Sequence, residues 1–325
     1  MSRRALLAAL AACPIPLPTA FAQEAPYPNR PIRVVLPAIA GSTSDLIMRA
    51  LAGPLGAVLE QPIVIESKPG AAGRIAIDYV TRAAPDGYTL LMANNGSHSI
   101  GPAGNGTRAI EPEKALAPVM MIVRSPIVIA ASPKLRIDSI AALVERARAG
   151  PGALTSAAGA VGSTSHMASA MLAKRAGIEL QHVPYASSVA SLRDVLSGEV
   201  ALMFTQLGSI DAMLRAGGLR AIAVMAERRL TNYPTVETVA EAGYPGLEVS
   251  SWYGIVVPPG TPRAVVSRLH SAFARVLAAP ELRKLFGSYG MEMVADTPDQ
   301  FAEAIETDLK RWSEVIHRFG LTPQQ

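Results

Sequence analysis

The chain has 325 residues, and its 30 Lys and Arg against 26 Asp and Glu give a formal net charge of only +4 at pH 7. The basic residues are scattered and form no run interleaved with aromatic residues, which argues against a nucleic-acid-binding surface. The single cysteine, Cys13, excludes a framework of disulfides within the chain and a multi-cysteine metal site. This length favours two domains over one, because domains usually have roughly 100–200 residues.

The first 22 residues have the pattern of an export signal. Two arginines precede a short apolar run, and Ala20-Phe21-Ala22 fits the small-x-small rule for cleavage after Ala22. Two alternatives stay open: Ser2-Arg3-Arg4 resembles the start of a twin-arginine export motif, and Leu10-Ala11-Ala12-Cys13 resembles a lipobox that would retain a lipidated Cys13. We therefore expect a periplasmic protein, cleaved after Ala22.

The first part of the mature chain alternates strand and helix patterns. Gly53-Pro54 lies inside the first predicted helix and should kink or split it. Such alternation predicts βαβ units and a mainly parallel sheet. The predicted strands are 32–36, 63–65 and 88–92, and the predicted helices are 46–59 and 74–84.

A second series of the same kind begins at Ile127–Ala131. Asp138 is the predicted cap of its first helix, which should end at Ala149. The later predicted strands are 154–156, 182–185, 200–204 and 219–225. One predicted helix follows the Gly159–Ser165 loop, and another covers 189–196.

The chain after Trp252 has a helical character. Thr261 is the predicted N-cap of one helix, followed by a proline at its first position. Thr297-Pro298-Asp299-Gln300 predicts a capping box for the last helix, and Gly320 its C-cap. The apolar stripe of that helix indicates packing on a domain, with a partner-binding helix as the alternative.

Two strand–loop–helix units contain the loops best suited to bind a ligand. The first has its Gly/Ser/Thr loop at 41–45, and the second has one at 159–165. A helix start exposes unpaired backbone N–H groups and the positive end of the helix dipole, and small residues let an anion approach them. Ligand sites in open α/β sheets lie at the carboxyl ends of strands. We therefore expect the two loops to face each other across a cleft that binds a small anion.

Signatures of common enzymes are missing from the sequence. It has no Gly-x-Ser-x-Gly elbow, no P-loop and no His-Glu-x-x-His motif. We predict a binding protein, not an enzyme, with neither a cofactor nor a metal.

Five stretches of sequence motifs cover essentially the whole mature chain. They are Tyr27–Val35 with the loop Gly41–Asp45; Glu66–Gly73 with Ala84–Leu91; Ser156–Gly159 with Gly162–His166; His182–Tyr185; and Pro234–Val236 with Glu241–Gly243 and Ser250–Gly254. Each motif alone is weak, but the five in the same order are specific. Together they resemble the solute-binding proteins of tripartite tricarboxylate transporters, the Bug family.

The resemblance implies a type II, two-lobed "Venus flytrap" α/β fold, each lobe a mainly parallel sheet flanked by helices. Residues 23–123 and 251–325 would form one lobe and 124–250 the other, with hinge crossings near 119–124 and 249–255. A monomer would bind a small carboxylate and deliver it to the membrane permease subunits of the transporter. The alternative is a ligand sensor that signals to a membrane kinase.

The resemblance also implies a set of ligand-binding residues, by matching positions. Asp45 could instead satisfy backbone N–H groups, His166 could serve packing, and Trp252 could belong to the core or hinge. The set is Gly41, Ser42, Thr43, Asp45, Asn94, Asn95, Ser97 and His98 from the first lobe; Gly162, Ser163, Thr164, His166, Tyr185 and Thr205 from the second; and Trp252 at the hinge wall.

The chain departs from the family pattern at several positions around the expected site. Ala38 replaces a usual aromatic residue, and Ser42 replaces the second glycine of a pair. A basic residue and a glycine are replaced by Ala186-Ser187, and usual acidic residues by Ala201 and Thr205. A less charged pocket would suit a monocarboxylate or a more neutral ligand.

Overall fold

The computed structural model describes residues 26–105, 116–150, 154–159, 161–185 and 188–321. The predicted export signal, Cys13 and the pair Ala186-Ser187 lie outside these ranges. Within them, no helix combines the length and the apolar character needed to cross a membrane.

Hydrogen bonds join the strands of the described residues into one network. The strands are β1 (Ile32–Leu36), β2 (Ile63–Ser67), β3 (Thr89–Asn94), β4 (Ala117–Ala131), β5 (Thr155–Ala158), β6 (Gln181–Pro184), β7 (Leu202–Gln206), β8 (Arg220–Val224), β9 (Glu237–Thr238), β10 (Ser250–Val257) and β11 (Glu292–Met293).

The helices pack on the faces of this network. They are α1 (Thr43–Leu59), α2 (Arg74–Thr81), α3 (Gly101–Asn105), α4 (Ile140–Arg148), α5 (Thr164–Ala176), α6 (Ser188–Ser197), α7 (Asp211–Arg215), α8 (Arg263–Leu277), α9 (Pro280–Ser288) and α10 (Pro298–Phe319). A π-helical turn at Gly96–Ile100 precedes α3.

The network consists of two sheets that share strand β4. In the first sheet β1 lies parallel to β2 and β3, and β10 runs antiparallel between β3 and β4. In the second sheet β5 lies parallel to β6 and β7, and β4 runs antiparallel to β7 and β8. The first part of β4 pairs with β10, and its last part, from Ile127, pairs with β7 and β8.

Strand β4 is apolar on both faces because it lies between helical layers for most of its length. Arg124 is its exposed residue, and most of the others are buried. Strands covered on both faces read as continuous hydrophobic runs and not as alternating ones. Strand β4 contains two such runs, Val119–Val123 and Ile127–Ala131, separated by Arg124-Ser125-Pro126.

The last helix, α10, contributes to the cores beside both sheets. Phe301 and Ile305 pack in a buried cluster with Trp252, whereas Trp312 packs in a cluster with Ile127 of the second sheet. The ends of α10 form as predicted, with the capping box at Thr297–Gln300 and a left-handed Gly320.

The sequence predicts that Gly53-Pro54 kinks or splits the first helix. The split is wrong, because α1 is continuous through Pro54. Both residues lie on the exposed side of the helix, where water can solvate the carbonyl that proline leaves unpaired.

Two predicted caps are displaced by one residue. Ser139, and not Asp138, caps α4, because its hydroxyl accepts the Ala142 N–H. Helix α8 starts at Arg263 with Pro262 at the cap position, and the Thr261 hydroxyl donates to the carbonyl of Pro258 instead.

Substitution of Gly254 by alanine should lower the free energy of unfolding by about 1–3 kcal/mol, the usual range for overpacking. Gly254 lies in β10, and a Cβ there would stand 2.8 Å from the Met120 carbonyl oxygen and collide with the Phe301 ring. Denaturant unfolding monitored by circular dichroism measures the loss. Gly287→Ala in α9 is the matched control, because nothing lies within 4 Å of its added Cβ, and an equal loss in both variants would contradict the argument.

Candidate functional site

A cavity of about 170 Å³ lies between the ends of strands from the two sheets. None of its lining side chains carries a formal charge. The lining residues are Ala38, Gly41, Ser42, Thr43, Ser44, Asn94, Asn95, Gly96, Gly159, Ser163, Thr164, Ser165, Gln206, Ser209, Ser251 and Tyr253.

A larger depression of about 780 Å³ lies elsewhere, lined by Arg124, Arg228 and Arg311 among others. Its lining includes neither of the Gly/Ser/Thr loops and no first residue of an α-helix. We therefore assign the candidate site to the smaller cavity, where backbone and side-chain donors converge.

On one side of the cavity, the loop before α1 is shaped by Gly41, Ser42 and Asp45. Gly41 has a φ of 79°, a left-handed conformation that glycine adopts without steric cost. Ser42 is the N-cap, and its hydroxyl accepts the Asp45 N–H at 3.3 Å. The Gly41 N–H in turn donates to the Asp45 carboxylate at 2.9 Å.

On the other side, the loop before α5 repeats this local structure. Gly162 has a φ of 80°, and Ser163 caps the helix by accepting the His166 N–H at 3.2 Å. The Gly162 N–H donates to Nδ1 of His166 at 3.1 Å. Both loops have the sequence Gly-Ser-Thr-Ser, and only the fifth residue differs.

The two helix starts leave backbone donors for a ligand. The N–H groups of Thr43 and Ser44 in α1, and of Thr164 and Ser165 in α5, have no acceptor within their own helices. All four residues line the cavity. Since each helix also directs the positive end of its dipole toward this end, the arrangement suits an anion.

The fifth residues give the two loops different charges. Burial raises the pKa of Asp45, but its bonds to Arg49 and to the Gly41 N–H outweigh this, so the net shift is downward and the carboxylate is ionised. Arg49 pairs with it at 2.8 Å. Burial lowers the pKa of His166 to about 4, with a smaller contribution from nearby His182, so this ring is neutral at pH 7.

Four hydrogen bonds connect the two sides of the cavity with β10. Thr43 donates to Gln206 Oε1 at 3.3 Å, and Thr164 donates to Asn95 Oδ1 at 2.8 Å. The amide nitrogen of Gln206 donates to Ser251 Oγ at 2.7 Å, and that of Asn95 donates to the carbonyl of Ser250 at 2.9 Å. The elements around the cavity are thus held in one polar network.

The structure brings together part of the predicted site. The predicted residues that line the cavity are Gly41, Ser42, Thr43, Asn94, Asn95, Ser163 and Thr164. Asp45, Gly162 and His166 lie behind this lining and shape the loops.

The other predicted residues, Ser97, His98, Tyr185, Thr205 and Trp252, do not line the cavity. Tyr185 donates to Asp194 at 2.7 Å, and Trp252 donates to Asp308 at 2.7 Å. Ser97 is bonded to His98 at 2.9 Å, and burial lowers the pKa of His98 to about 3. Thr205 is buried within β7.

Sequence reasoning missed several residues of the lining. Gln206 ends β7 and Ser209 lies just after it, much as Asn94 ends β3 and Asn95 follows it, so the rule for strand ends could have found them. Ser251 and Tyr253 are two residues apart on β10, a spacing that places both side chains on one face. The remaining lining residues outside the predicted set are Ala38, Ser44, Gly96, Gly159 and Ser165.

No group of three His, Cys, Asp or Glu side chains suited to a metal ion occurs among the described residues.

Residues 47–321 match the family described as "Tripartite tricarboxylate transporter family receptor". The chain is 32% identical over 295 residues to Protein BugT of Bordetella pertussis, with 90% of each chain covered. It resembles the solved periplasmic binding protein BugD with a TM-score of 0.85 and 28% identity, covering 91% of this chain and 99% of that chain. The structure of R. palustris Rpa4515 with adipate gives a TM-score of 0.87 and 31% identity, with the same coverage.

This full-length likeness confirms the predicted two-lobed periplasmic-binding-protein fold. The two sheets that share β4 are the α/β cores of such an architecture.

Acidification should destabilise the protein between about pH 6.5 and pH 4 through His166. Its folded pKa of about 4 lies below its ordinary value of 6.5, so the unfolded chain binds more protons in this window and stability falls as the pH falls. In His166→Asn, the side-chain oxygen can accept the Gly162 N–H without titrating, which should flatten the slope by up to about 1.4 kcal/mol per pH unit. Urea unfolding at a series of pH values measures this.

The control is His317→Asn, which removes an exposed histidine of α10. Because His166 is unchanged in this variant, the part of the slope that His166→Asn removes should remain. A wild-type slope in His166→Asn would show that His166 does not carry the effect.

Proposed function

This chain belongs to the tripartite tricarboxylate transporter receptor family, and we propose that it captures one small organic carboxylate in the periplasm and presents it to membrane permease subunits. The family and the solute-binding proteins of known structure confirm that the chain is a binding protein and not an enzyme.

One observation carries the proposal: two helix starts with the same Gly-Ser-Thr-Ser sequence lie on opposite sides of a single uncharged cavity. A carboxylate placed there would accept backbone N–H bonds from both helices. Hydrogen bonds to an ionised acceptor are about twice as strong as bonds between neutral groups. No arginine or lysine is needed in such a site, which agrees with the composition of the lining.

The size of the cavity supports a ligand of few heavy atoms. Its volume of about 170 Å³ is well below the roughly 300–1,000 Å³ of sites for drug-sized molecules. The uncharged lining favours an acid of low total charge, either a monocarboxylate or a short dicarboxylate. A short dicarboxylate stays in the proposal because the similar protein Rpa4515 is known with adipate.

Binding in this proposal is coupled to closure of the two lobes about the β4 and β10 crossings. The proposed crossings lie near 119–124 and 249–255, and the proposed lobes are 23–123 with 251–325, and 124–250. Buried in a closed cleft, the carboxylate would leave only when the lobes separate, and the proposed monomer would open at the permease.

A panel of short mono-, di- and tricarboxylates should raise the thermal unfolding temperature, each tested beside its neutral amide. An acid present at about 100 times its Kd should stabilise the protein by about 2.7 kcal/mol, while the amide should not. In Ser163→Trp the indole should fill the cavity, so that the protein stays folded but the shift is lost. Absence of a shift with every acid would contradict the proposal.

Replacement of Thr164 by proline tests the backbone contact directly. Proline is tolerated at the first position of a helix, and Ser163 has the extended ψ of 160° that suits a residue before proline, so α5 should form. Thr164→Val is the matched control, because it also lacks the hydroxyl but keeps the N–H. The proline variant should bind the best acid of the panel about 10- to 100-fold more weakly than the valine variant, measured by calorimetry. Equal affinities would remove this N–H from the site.

A further inference from the structure

We infer that the hydroxyl groups of Thr43 and Thr164 form a two-point latch that holds the cleft closed before a ligand arrives. The inference rests on the proposed function only in that the latch closes the cavity assigned there to the ligand. It gives these two side chains a role in closure, distinct from that of their backbone N–H groups.

The first point of the latch runs from the first sheet to the second. Thr43 is the first residue of α1, which packs beside the first sheet. Its hydroxyl donates to Gln206 Oε1 at the end of β7. The same hydroxyl lies 3.4 Å from Ser209 Oγ, also after β7.

The second point runs in the opposite direction. Thr164 is the first residue of α5, which packs beside the second sheet. Its hydroxyl donates to Oδ1 of Asn95, the residue after β3. Each side of the cleft therefore supplies one threonine donor and one amide acceptor. The two threonines occupy the same position of the repeated Gly-Ser-Thr-Ser sequence, so the same threonine-to-amide hydrogen bond is made twice across the cleft.

Strand β10 holds the two acceptors in the orientation that the threonines need. The amide nitrogen of Asn95 donates to the carbonyl of Ser250, which can only accept, so the amide oxygen must face Thr164. The amide nitrogen of Gln206 is bonded to Ser251 Oγ, the next residue of the same strand. Since β10 pairs with β4 where the chain passes between the sheets, the latch is aligned by the segment about which the lobes would move.

Burial favours these bonds in the closed form. Thr43, Thr164, Asn95 and Gln206 are all less than 10% exposed, so water competes little for their polar atoms. Opening the cleft would hydrate donors and acceptors alike, which keeps the net contribution of each bond modest. Two such bonds should change the ratio of closed to open molecules by about 5- to 100-fold, enough to pre-populate the closed form without trapping it.

The test compares variants without ligand. Thr43→Val, Thr164→Val and the double variant remove the hydroxyls while keeping the shape of the side chain, and Thr43→Ser with Thr164→Ser keeps both hydroxyls. Thr81→Val is the matched control, because Thr81 in α2 has a buried hydroxyl with no hydrogen-bond partner. Two measurements report closure. One is the radius of gyration from X-ray scattering, and the other is the rate of amide hydrogen exchange at 43–48 and 164–169.

The double valine variant should have a larger radius of gyration and faster exchange in both segments than the wild type. The serine double variant and Thr81→Val should match the wild type. A double valine variant with the wild-type radius and exchange would overturn the latch, including the case in which the ligand-free wild type is already fully open.

Gln206→Met provides a second route if a valine variant does not fold, because it removes the acceptor of Thr43 from the other side. Because it breaks the first point of the latch, this ligand-free variant should also have a larger radius of gyration than the wild type, and a wild-type radius would again overturn the latch. All these measurements use ligand-free protein, so they stay decisive even if no carboxylate binds. Conversely, a carboxylate that stabilises the wild type in the thermal panel, together with a wild-type radius for the ligand-free double valine variant, would overturn the latch and leave the proposed function standing.

Discussion

The antiparallel pairing of β4 with β10 is the constraint on which the site depends. β4 continues from the first sheet into the second, so its backbone hydrogen bonds fix how the two sheets meet. Ser250 and Ser251, where β10 begins, hold the amides of Asn95 and Gln206. The strands that connect the sheets therefore also orient polar side chains between them, and a change in their register would displace both.

The two loops show how one local structure serves helix capping and ligand access together. In each loop a glycine turns the chain, a serine caps the helix, and a fifth residue accepts the glycine N–H. Because the cap and the fifth residue use side chains, the backbone donors of the next two residues stay available to the cavity. The fifth residue differs in charge: Asp45 is an ionised carboxylate paired with Arg49, whereas His166 is a neutral ring.

Much of the fold could be read from local patterns, whereas the error at Pro54 has a tertiary cause. The strands β1 to β3 and the capping box of α10 were predictable because apolar runs and cap residues act within a few positions. The break expected at Pro54 does not occur, since the buried face of α1 on the first sheet keeps the helix together despite the lost hydrogen bond. Tertiary packing outweighed the local preference there.

The sequence by itself determined the elements, the family and the two Gly-Ser-Thr-Ser loops, because these depend on spacing and on residue type. Only the tertiary structure decided which side chains meet in the cavity. Gln206, Ser251 and Tyr253 join it from strands distant in the chain, and Tyr185 and Trp252 find partners outside its lining. The physical reason is that contacts across a cleft depend on how two sheets are positioned by β4 and β10, and no local pattern encodes that geometry.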